Sequence, residues 1–284
     1  MITLTKRNLK LYFKDKGALF FSLLGVIVIF CLYIFFVGDS QDGDMANVAN
    51  AQFIMDSWMM AGMIAAATMT TSMGAYNTMV TDKSHKNYKD LYASPLKRNS
   101  ILGGYLFSGL AISIIMSLVT FLLAELYIVN NGGDLLNMGT AVKVIGVIVL
   151  TSLSSSALIC FITSLIKTPN AFSNASIVIG TLIGFLVGAY VPLGHLPTAV
   201  QGVIKAFPCA HGAALLRQLM LGDAMETGMH LDADKLSDIK KELGILFQYG
   251  DWTMNMTGHL IVIVASAVLF YALGVIRINR KKVA

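Results

Sequence analysis

The sequence predicts an all-α integral membrane protein with six transmembrane helices, for three reasons. Of its 284 residues, 56% are hydrophobic and only 13% are charged, whereas about a quarter of an ordinary soluble domain is charged. Six stretches supply the roughly 20 apolar residues with which a helix crosses the hydrocarbon layer. Basic residues gather on alternate sides of these stretches, as membrane topology requires. The stretches are 17–37, 53–80, 101–129, 141–166, 171–192 and 258–276, in a single domain of residues 1–284.

The basic residues also predict that both termini are cytoplasmic. Lys and Arg are concentrated before the first stretch, in the loop 81–100 and at the end of the chain. The loops 38–52 and 130–140 contain no Lys or Arg and carry aspartates instead. By the positive-inside rule these two loops face outward. Since this asymmetry accounts for most of the net charge of +5, we expect a lipid bilayer and no nucleic acid as a partner.

Residues 1–16 predict an amphipathic helix lying on the inner membrane surface. Lys6, Lys10 and Lys14 repeat every four residues, which suits anionic headgroups, while Tyr12 and Phe13 belong to the apolar side. The alternative is the basic flank of a signal sequence. It is disfavoured because the next apolar run is too long and no A-x-A-like cleavage site ends it.

The second span contains Met59, Met63 and Met73 within a methionine-rich run. Flexible thioether side chains suit a surface that repacks around apolar cargo. Ordinary helix packing explains the same residues, and both interpretations stay open. In the fourth span, the hydroxyl-rich run 152–156 favours close helix packing over substrate contact.

The fifth span has small residues at every fourth position. Such spacing predicts a ridge along one helix face, where another backbone approaches closely, either in this chain or in a second copy. The four residues are Ser176, Gly180, Gly184 and Gly188.

The external segment 192–256 does not return directly to the inner side. Pro197 and Pro208 break it into helices of nine or ten residues, which rise only about 15 Å, half of the hydrocarbon thickness. We therefore expect a re-entrant helical hairpin on the outer face, including Pro192 and Arg217. The stretch after it, with Leu236 and neighbours at helical spacing, predicts an external cap with one helix that is either a lid or a solvated connection.

The spans lack the ionisable groups that ion-coupled carriers place near the bilayer midplane. Asp56, Glu125, Lys143 and His259 are expected at span ends, where water or headgroups solvate them. His211 is expected to be structural.

The sequence contains no phosphate-cradling motif, catalytic pattern or metal-ligand spacing, so we assign no catalytic, cofactor-binding or metal residues. The three cysteines are expected to pack. The chain is therefore not predicted to be an enzyme, and any energy for transport comes from another chain.

Two regions resemble the permease subunit of ABC transporters of the ABC-2 type, and the resemblance covers almost the whole chain. The first pattern is Leu91, Ser94, Pro95, Leu96 and Arg98, followed by Gly103 or Gly104. The second is Pro192, Leu196, Pro197, Phe207, Pro208, Leu216, Arg217 and Gly222. The segment 81–86 departs from the family pattern, because it is more basic than the usual acidic start of the cytoplasmic helix.

The resemblance implies an ATP-driven exporter in a bacterial plasma membrane. It would contain two permease chains, identical or paralogous, and two separate ATPase subunits that bind ATP and Mg. Its second and fifth spans flank the path, which favours a second copy as the partner of the small-residue ridge. The N-terminal helix and the loop 81–100 would dock on the ATPase. The implied coupling residues are Asp82, Tyr88, Leu91, Tyr92, Pro95 and Arg98.

The expected cargo is a lipid, an amphipathic drug or peptide, or a lipid-linked glycan. The alternative is a membrane component without transport activity, such as an immunity or scaffolding subunit or a membrane enzyme.

Overall fold

A computed structural model describes residues 1–36, 51–85, 93, 98–228 and 233–280 of the chain. The regular secondary structure of the described part is helical apart from one short β-hairpin, which agrees with the predicted all-α class. Its helices are α1 (Ile2–Lys14), α2 (Lys16–Phe36), α3 (Ala51–Ser84), α4 (Arg98–Asn130), α5 (Met138–Leu165), α6 (Pro169–Leu186), α7 (Thr198–Ala206), α8 (Pro208–Gly228), α9 (Ala233–Glu242) and α10 (Met256–Arg280). A 3₁₀ turn covers Leu193–His195, and the hairpin consists of β1 (Gln248–Tyr249) and β2 (Trp252–Thr253).

Helix α3 occupies the centre of the bundle. It packs against α1, α2, α4, α5, α6 and α8, and most of its side chains are buried. Its sequence is rich in Ala, Thr, Ser and Met, residues that allow several helices to approach closely. The other helices therefore surround a long helix whose small and polar residues suit contact with protein rather than with lipid.

Five of the six predicted spans are helices long and apolar enough to cross a membrane: α2, α4, α5, α6 and α10. The predicted span 53–80 forms the central helix α3 but is not one of these five. The physical reason is its environment, because a helix that faces protein on all sides does not need the hydropathy that lipid contact demands.

The segment after α6 forms a bent helix pair. α7 and α8 are separated by a bend of 89° at Phe207, and together they are apolar enough for one crossing. The break falls at Pro208 as predicted, and α7 has the expected nine residues. The second helix is longer than predicted, because α8 continues for 21 residues to Gly228.

Helix α6 ends earlier than the predicted span 171–192. Its last residue is Leu186, and Gly188 adopts a φ of +62° in the turn that follows. The expected four-residue ridge is therefore wrong in its last member, which lies beyond the helix. Gly184 faces the ring of Tyr190, where a Cβ atom would lie only 2.3 Å from a ring carbon. Only Ser176 and Gly180 remain open on the ridge.

The hydroxyl-rich run in α5 forms hydrogen bonds between helices. Ser154 pairs with Ser266 of α10 at 2.7 Å, and Ser155 pairs with Thr68 of α3 at 2.9 Å. The next residue, Ser156, pairs with Tyr76 at 3.1 Å. These contacts agree with the interpretation of this run as helix packing.

The expectation that Asp56, Glu125 and His259 are solvated at span ends is wrong. All three are buried. Asp56 accepts hydrogen bonds from Tyr33 and Gln52, and one oxygen of Glu125 accepts from the backbone of Leu136. Protein groups replace the expected water because loops and neighbouring helices cover the ends of the bundle.

We predict opposite effects for two glycine substitutions that are matched in chemistry. Gly212→Ala in α8 would place a Cβ atom 2.5 Å from Thr151 of α5 and lower the stability by about 1–3 kcal/mol through overpacking. Gly146→Ala in α5 meets nothing within 4 Å and gains up to about 1 kcal/mol of helix propensity. Thermal unfolding in detergent measures both, and equal midpoints for the two variants would contradict the α5–α8 packing.

Candidate functional site

The bundle has two ends with different chemistry. At the α1 end, α1 lies against the last turn of α3 and the first turns of α4. At the hairpin end, α8 packs against α3, and Trp58 near the start of α3 donates to the backbone of Leu243, just after α9. A groove between α2, α3 and α6 opens on the side of the bundle.

An ion pair joins a partly exposed Arg7 of α1 to a buried Asp82 of α3. Nη1 and Nη2 of Arg7 donate to the two carboxylate oxygens of Asp82 at 2.7 and 2.8 Å. The hydroxyl of Tyr105 in α4 donates to Oδ2 of the same carboxylate at 2.6 Å. The hydrogen bonds to Asp82 raise the pKa of Arg7 further above its usual range. We call these three residues the clamp.

Close packing supports the clamp on both sides. Asn8 donates to Ser108 of α4 at 3.1 Å. At Gly104, a Cβ atom would lie 2.7 Å from Leu4, so only glycine allows α1 to lie this close to α4. The buried face of α1 consists of Leu4, Asn8 and Tyr12. Of the predicted apolar side, Tyr12 faces the bundle whereas Phe13 is exposed.

The implied coupling residues fall into three groups. Asp82 is buried in the clamp, where its carboxylate contacts Arg7 of the same chain. Arg98 begins α4. The remaining four lie outside the described residues: Tyr88, Leu91, Tyr92 and Pro95.

The groove has a volume of about 560 Å³ and a mainly apolar lining. Three of the candidate path residues, Met73, Ser176 and Gly180, meet here. Gly25 of α2 lies close to α6, since a Cβ atom at Gly25 would lie 3.6 Å from the backbone oxygen of Gly180. The groove therefore unites spans that are distant in the sequence.

The other candidate path residues lie elsewhere. Met59 and Met63 are buried in the core around α3, Gly184 contacts Tyr190, and Gly188 lies in the turn beside Arg217. For the two methionines, the structure shows the packing that was the alternative interpretation.

A polar cavity of about 490 Å³ adjoins the groove at the α1 end. It is bounded by α1, the start of α2 and the last turns of α3, and we call it the mouth. Ala18, Gly74 and Asn77 line both the mouth and the groove. The charged lining residues of the mouth are Arg7, Lys14, Asp15 and Asp82.

At the hairpin end, Arg217 of α8 is buried without a carboxylate partner among the described residues. Its guanidinium donates to the backbone oxygens of Gly188 at 2.9 Å and Trp58 at 3.4 Å. It also stacks on the Trp58 ring, 4.6 Å from the ring centroid. Backbone oxygens and an aromatic face thus stabilise the buried charge.

The same tryptophan connects α3 to the segment 192–256. Trp58 Nε1 donates to the backbone oxygen of Leu243 at 2.7 Å, and Gln218 donates to Ile245 at 2.7 Å. Of the predicted hairpin residues, Pro192 and Pro197 precede the 3₁₀ turn and α7 as N-caps, and Pro208 begins α8.

Sequence reasoning missed a pair of buried histidines. The Nδ1 atoms of His211 in α8 and His259 in α10 lie 2.8 Å apart, and Nε2 of His211 faces the backbone oxygen of Lys205 at 2.9 Å. Since that oxygen only accepts, Nε2 of His211 carries a proton, and His259 then donates through Nδ1. The two residues are 48 positions apart, so no local pattern indicated the pair. The described residues include no group of three potential metal ligands.

Five apolar spans in one bundle with a central helix of small residues, whose buried charges are bound by protein groups, define a multi-pass helical membrane protein. Comparison of the sequence with family models identifies which one. Residues 44–276 match the model of the ABC-2 family transporter protein, and the chain belongs to this family. It is therefore the membrane component of a transporter, and membership implies an ABC ATPase subunit as its partner.

Known relatives agree with this assignment. Nodulation protein J of Rhizobium meliloti (strain 1021) is 25% identical over 243 residues, which cover 82% of this chain and 86% of that protein. Nodulation protein J of Rhizobium leguminosarum bv. viciae is 26% identical over 226 residues, covering 74% and 79%. The chain is thus similar along most of the length of both relatives.

The clamp predicts strong coupling between its two charges. Arg7→Gln and Asp82→Asn each remove one partner, and each leaves the other charge poorly compensated. We expect the double variant to lose less stability than the two single losses combined, with a coupling energy of about 1–3 kcal/mol. Thermal unfolding of the four proteins in detergent measures this energy. Additive losses would mean that the ion pair does not hold α1 on α3.

We predict that Arg217→Lys loosens the segment 192–256 although it keeps the charge. An ammonium group lacks the planar fork that contacts Gly188, Trp58 and the indole face together. Losing the stack and one hydrogen bond, about 1–2 kcal/mol, accelerates amide hydrogen exchange in peptide 243–249 on the order of tenfold. Lys235→Arg, at an exposed position of α9, is the matched control and leaves the exchange unchanged. Equal hydrogen-exchange rates in both variants would show that Arg217 does not anchor this segment.

Proposed function

We propose that this chain is the transmembrane permease of an ABC exporter, and that it moves an amphiphilic molecule outward by alternating access. A separate ATPase subunit binds ATP and Mg and supplies the energy, because the chain contains no nucleotide-binding motif of its own. The observation that carries the proposal is the apolar groove between α2, α3 and α6, which continues into the polar mouth.

The proposed orientation places the α1 end in the cytoplasm and the hairpin end outside. It rests on the basic residues, which are concentrated before α2, between α3 and α4 and after α10. In this orientation α1 lies at the inner membrane surface, and α3 crosses the membrane in addition to the five apolar spans. The bent pair α7–α8 forms the re-entrant hairpin, since α7 alone is too short to cross.

The proposed entry point for energy is the loop 81–100. The clamp supports this role, because Asp82 lies at the start of the loop and Tyr105 of α4 lies just after its end. Asp82 contacts Arg7 of α1, and Tyr105 donates to Asp82. Pushing the loop would move α1 with it. We propose Tyr88, Leu91, Tyr92, Pro95 and Arg98 as the residues that contact the ATPase, whereas Asp82 would act from inside by fixing α1.

The proposed path needs a second permease chain, either identical or paralogous. The groove is open on the side of the bundle, and α6 exposes Ile177, Val178 and Leu182. A second chain covering this side would supply the opposite wall. Met73, Ser176 and Gly180 would then line the path, and its cargo would be a lipid, an amphipathic drug or peptide, or a lipid-linked glycan.

The alternative of an immunity, scaffolding or enzymatic membrane component gives no reason for an apolar groove that leads from a polar mouth. The buried polar groups discussed above, such as the histidine pair and the α5 serines, are used in contacts between helices. For these reasons we favour the exporter.

Filling the groove tests the proposal. Gly180→Phe places a ring in open space beside Ser176, so we expect transport to fall at least about tenfold through steric block, as an obstructed binding site predicts. The measurement is ATP-dependent translocation of a fluorescent phospholipid in proteoliposomes that contain the chain and its ATPase.

Val268→Phe is the matched control, because it adds the same ring at an exposed position of α10, outside the groove lining and away from α6. It should transport normally, and both variants should still assemble with the ATPase. Unimpaired transport by Gly180→Phe would show that the groove is not the path.

A further inference from the structure

We propose that the mouth and the groove form one binding site for an anionic amphiphile. The phosphate or carboxylate head lies in the mouth at Arg7, Lys14 and Asn77, and the apolar chain extends along the groove. This inference rests on the proposed exporter function and specifies the cargo that such an exporter would collect.

The groove fits an apolar chain. Its volume of about 560 Å³ lies within the range of roughly 300–1,000 Å³ that small-molecule sites occupy. Phe21, Leu24 and Val28 of α2 face Phe172 and Ile177 of α6 across it. A Cβ atom built at Gly180 meets no atom within 4 Å, so the groove has open space at this position.

The mouth offers hydrogen-bond donors that the fold does not use. Arg7 has five N–H groups, and it directs its Nη1 and Nη2 ends at Asp82 and one further Nη1 contact at Asn8. Nε and the second hydrogen of Nη2 form another edge of the guanidinium, with no hydrogen bond to a described residue. Its side chain is 38% exposed. This edge has the fork geometry that binds phosphate or carboxylate.

The carboxylates at the mouth are already engaged. Both oxygens of Asp82 are paired, and Asp15 accepts the backbone N–H of Ala18 at 2.9 Å, at the start of α2. Lys14 is exposed and has no carboxylate partner among the described residues. An anion would therefore meet two cationic groups without displacing the clamp.

The junction between the two cavities sets the order of head and chain. Asn77 is an exposed polar side chain of α3, and it lines both the mouth and the groove, together with Ala18 and Gly74. Its amide can donate to the linkage between a charged head and an apolar chain. The continuity favours a single amphiphile over a free anion, because a free anion would use only the mouth.

The test is equilibrium binding of radiolabelled dodecyl phosphate to the purified chain in phosphatidylcholine nanodiscs, without the ATPase. Empty nanodiscs supply the background. We expect saturable binding that weakens with salt, and only weak competition by inorganic phosphate or by dodecyl maltoside, since each has only half of the required chemistry.

Three variants separate the parts of the site. Lys14→Gln should weaken binding several-fold and Arg7→Lys about tenfold, because lysine lacks the fork. Gly180→Phe should weaken dodecyl phosphate binding but leave any inorganic phosphate binding intact. Lys241→Gln, a cation at the hairpin end paired with Asp238 at 3.0 Å, is the control and should bind normally. Because Arg7 also stabilises the fold, the exposed Lys14 decides the result if Arg7→Lys does not fold.

Distinct results would overturn the inference. Equal binding of dodecyl maltoside would mean that charge is not recognised, and full competition by inorganic phosphate with no effect of Gly180→Phe would mean a free-anion site. Normal binding by Lys14→Gln would exclude the mouth. Failure of transport with intact dodecyl phosphate binding would count against the exporter alone, because the binding assay requires neither ATP nor the partner.

Discussion

The burial of α3 is the constraint on which the rest of the structure depends. A helix of 34 residues that contacts six others cannot carry the Leu, Ile and Phe surface typical of lipid contact, and its Ala, Thr and Ser residues bring the neighbouring backbones close. Hydrogen bonds from Thr68 to Ser155 and from Tyr76 to Ser156 fix α5 against it. The apolar helices α2, α6 and α10 are then left on the outside, where a bilayer or a partner chain can cover them.

Two buried charges lie near the ends of α3, Asp82 of α3 itself and Arg217 of α8, and each is stabilised in a different way. Near the α1 end, Asp82 receives a guanidinium and a phenol, so the ion pair itself attaches α1. At the hairpin end, α3 supplies the acceptor and the aromatic face for the cation Arg217. Because neither group reaches bulk water, each contact is specific in geometry, and loss of one partner leaves a costly buried charge. The central helix is thus attached at one end to α1 and at the other to α8.

Short-range sequence patterns predicted the elements whose position depends on residues close together in the sequence. Apolar runs located five of the spans, Pro208 located the bend between α7 and α8, and helical spacing around Leu236 located α9. Contacts between distant residues were not accessible: Arg7 and Asp82 are 75 positions apart and His211 and His259 are 48 apart. The glycine repeat of the fifth span was misleading for the same reason, since the early end of α6 and the ring of Tyr190 are consequences of tertiary packing. Among the candidate site residues, the sequence identified the groove residues Met73, Ser176 and Gly180 but not the cavity that unites them.

The position of the clamp constrains how a push on the loop 81–100 would reach the groove under the proposed function. Arg7 ties α1 to α3, Gly104 lets α1 lie against α4, and Tyr12 hydrogen-bonds to Ser22 of α2 at 2.6 Å. A Cβ atom on Gly74 of α3 would lie only 2.7 Å from the Cβ atom of Ser22, so α2 and α3 are in close contact at the base of the groove. These four helices would therefore move as one body, whereas α6 joins them through α3 and makes few contacts with α2. Widening the groove then requires displacement of α6, the helix whose exposed side a second chain would cover, so the partner permease would control the same wall that the cargo must pass.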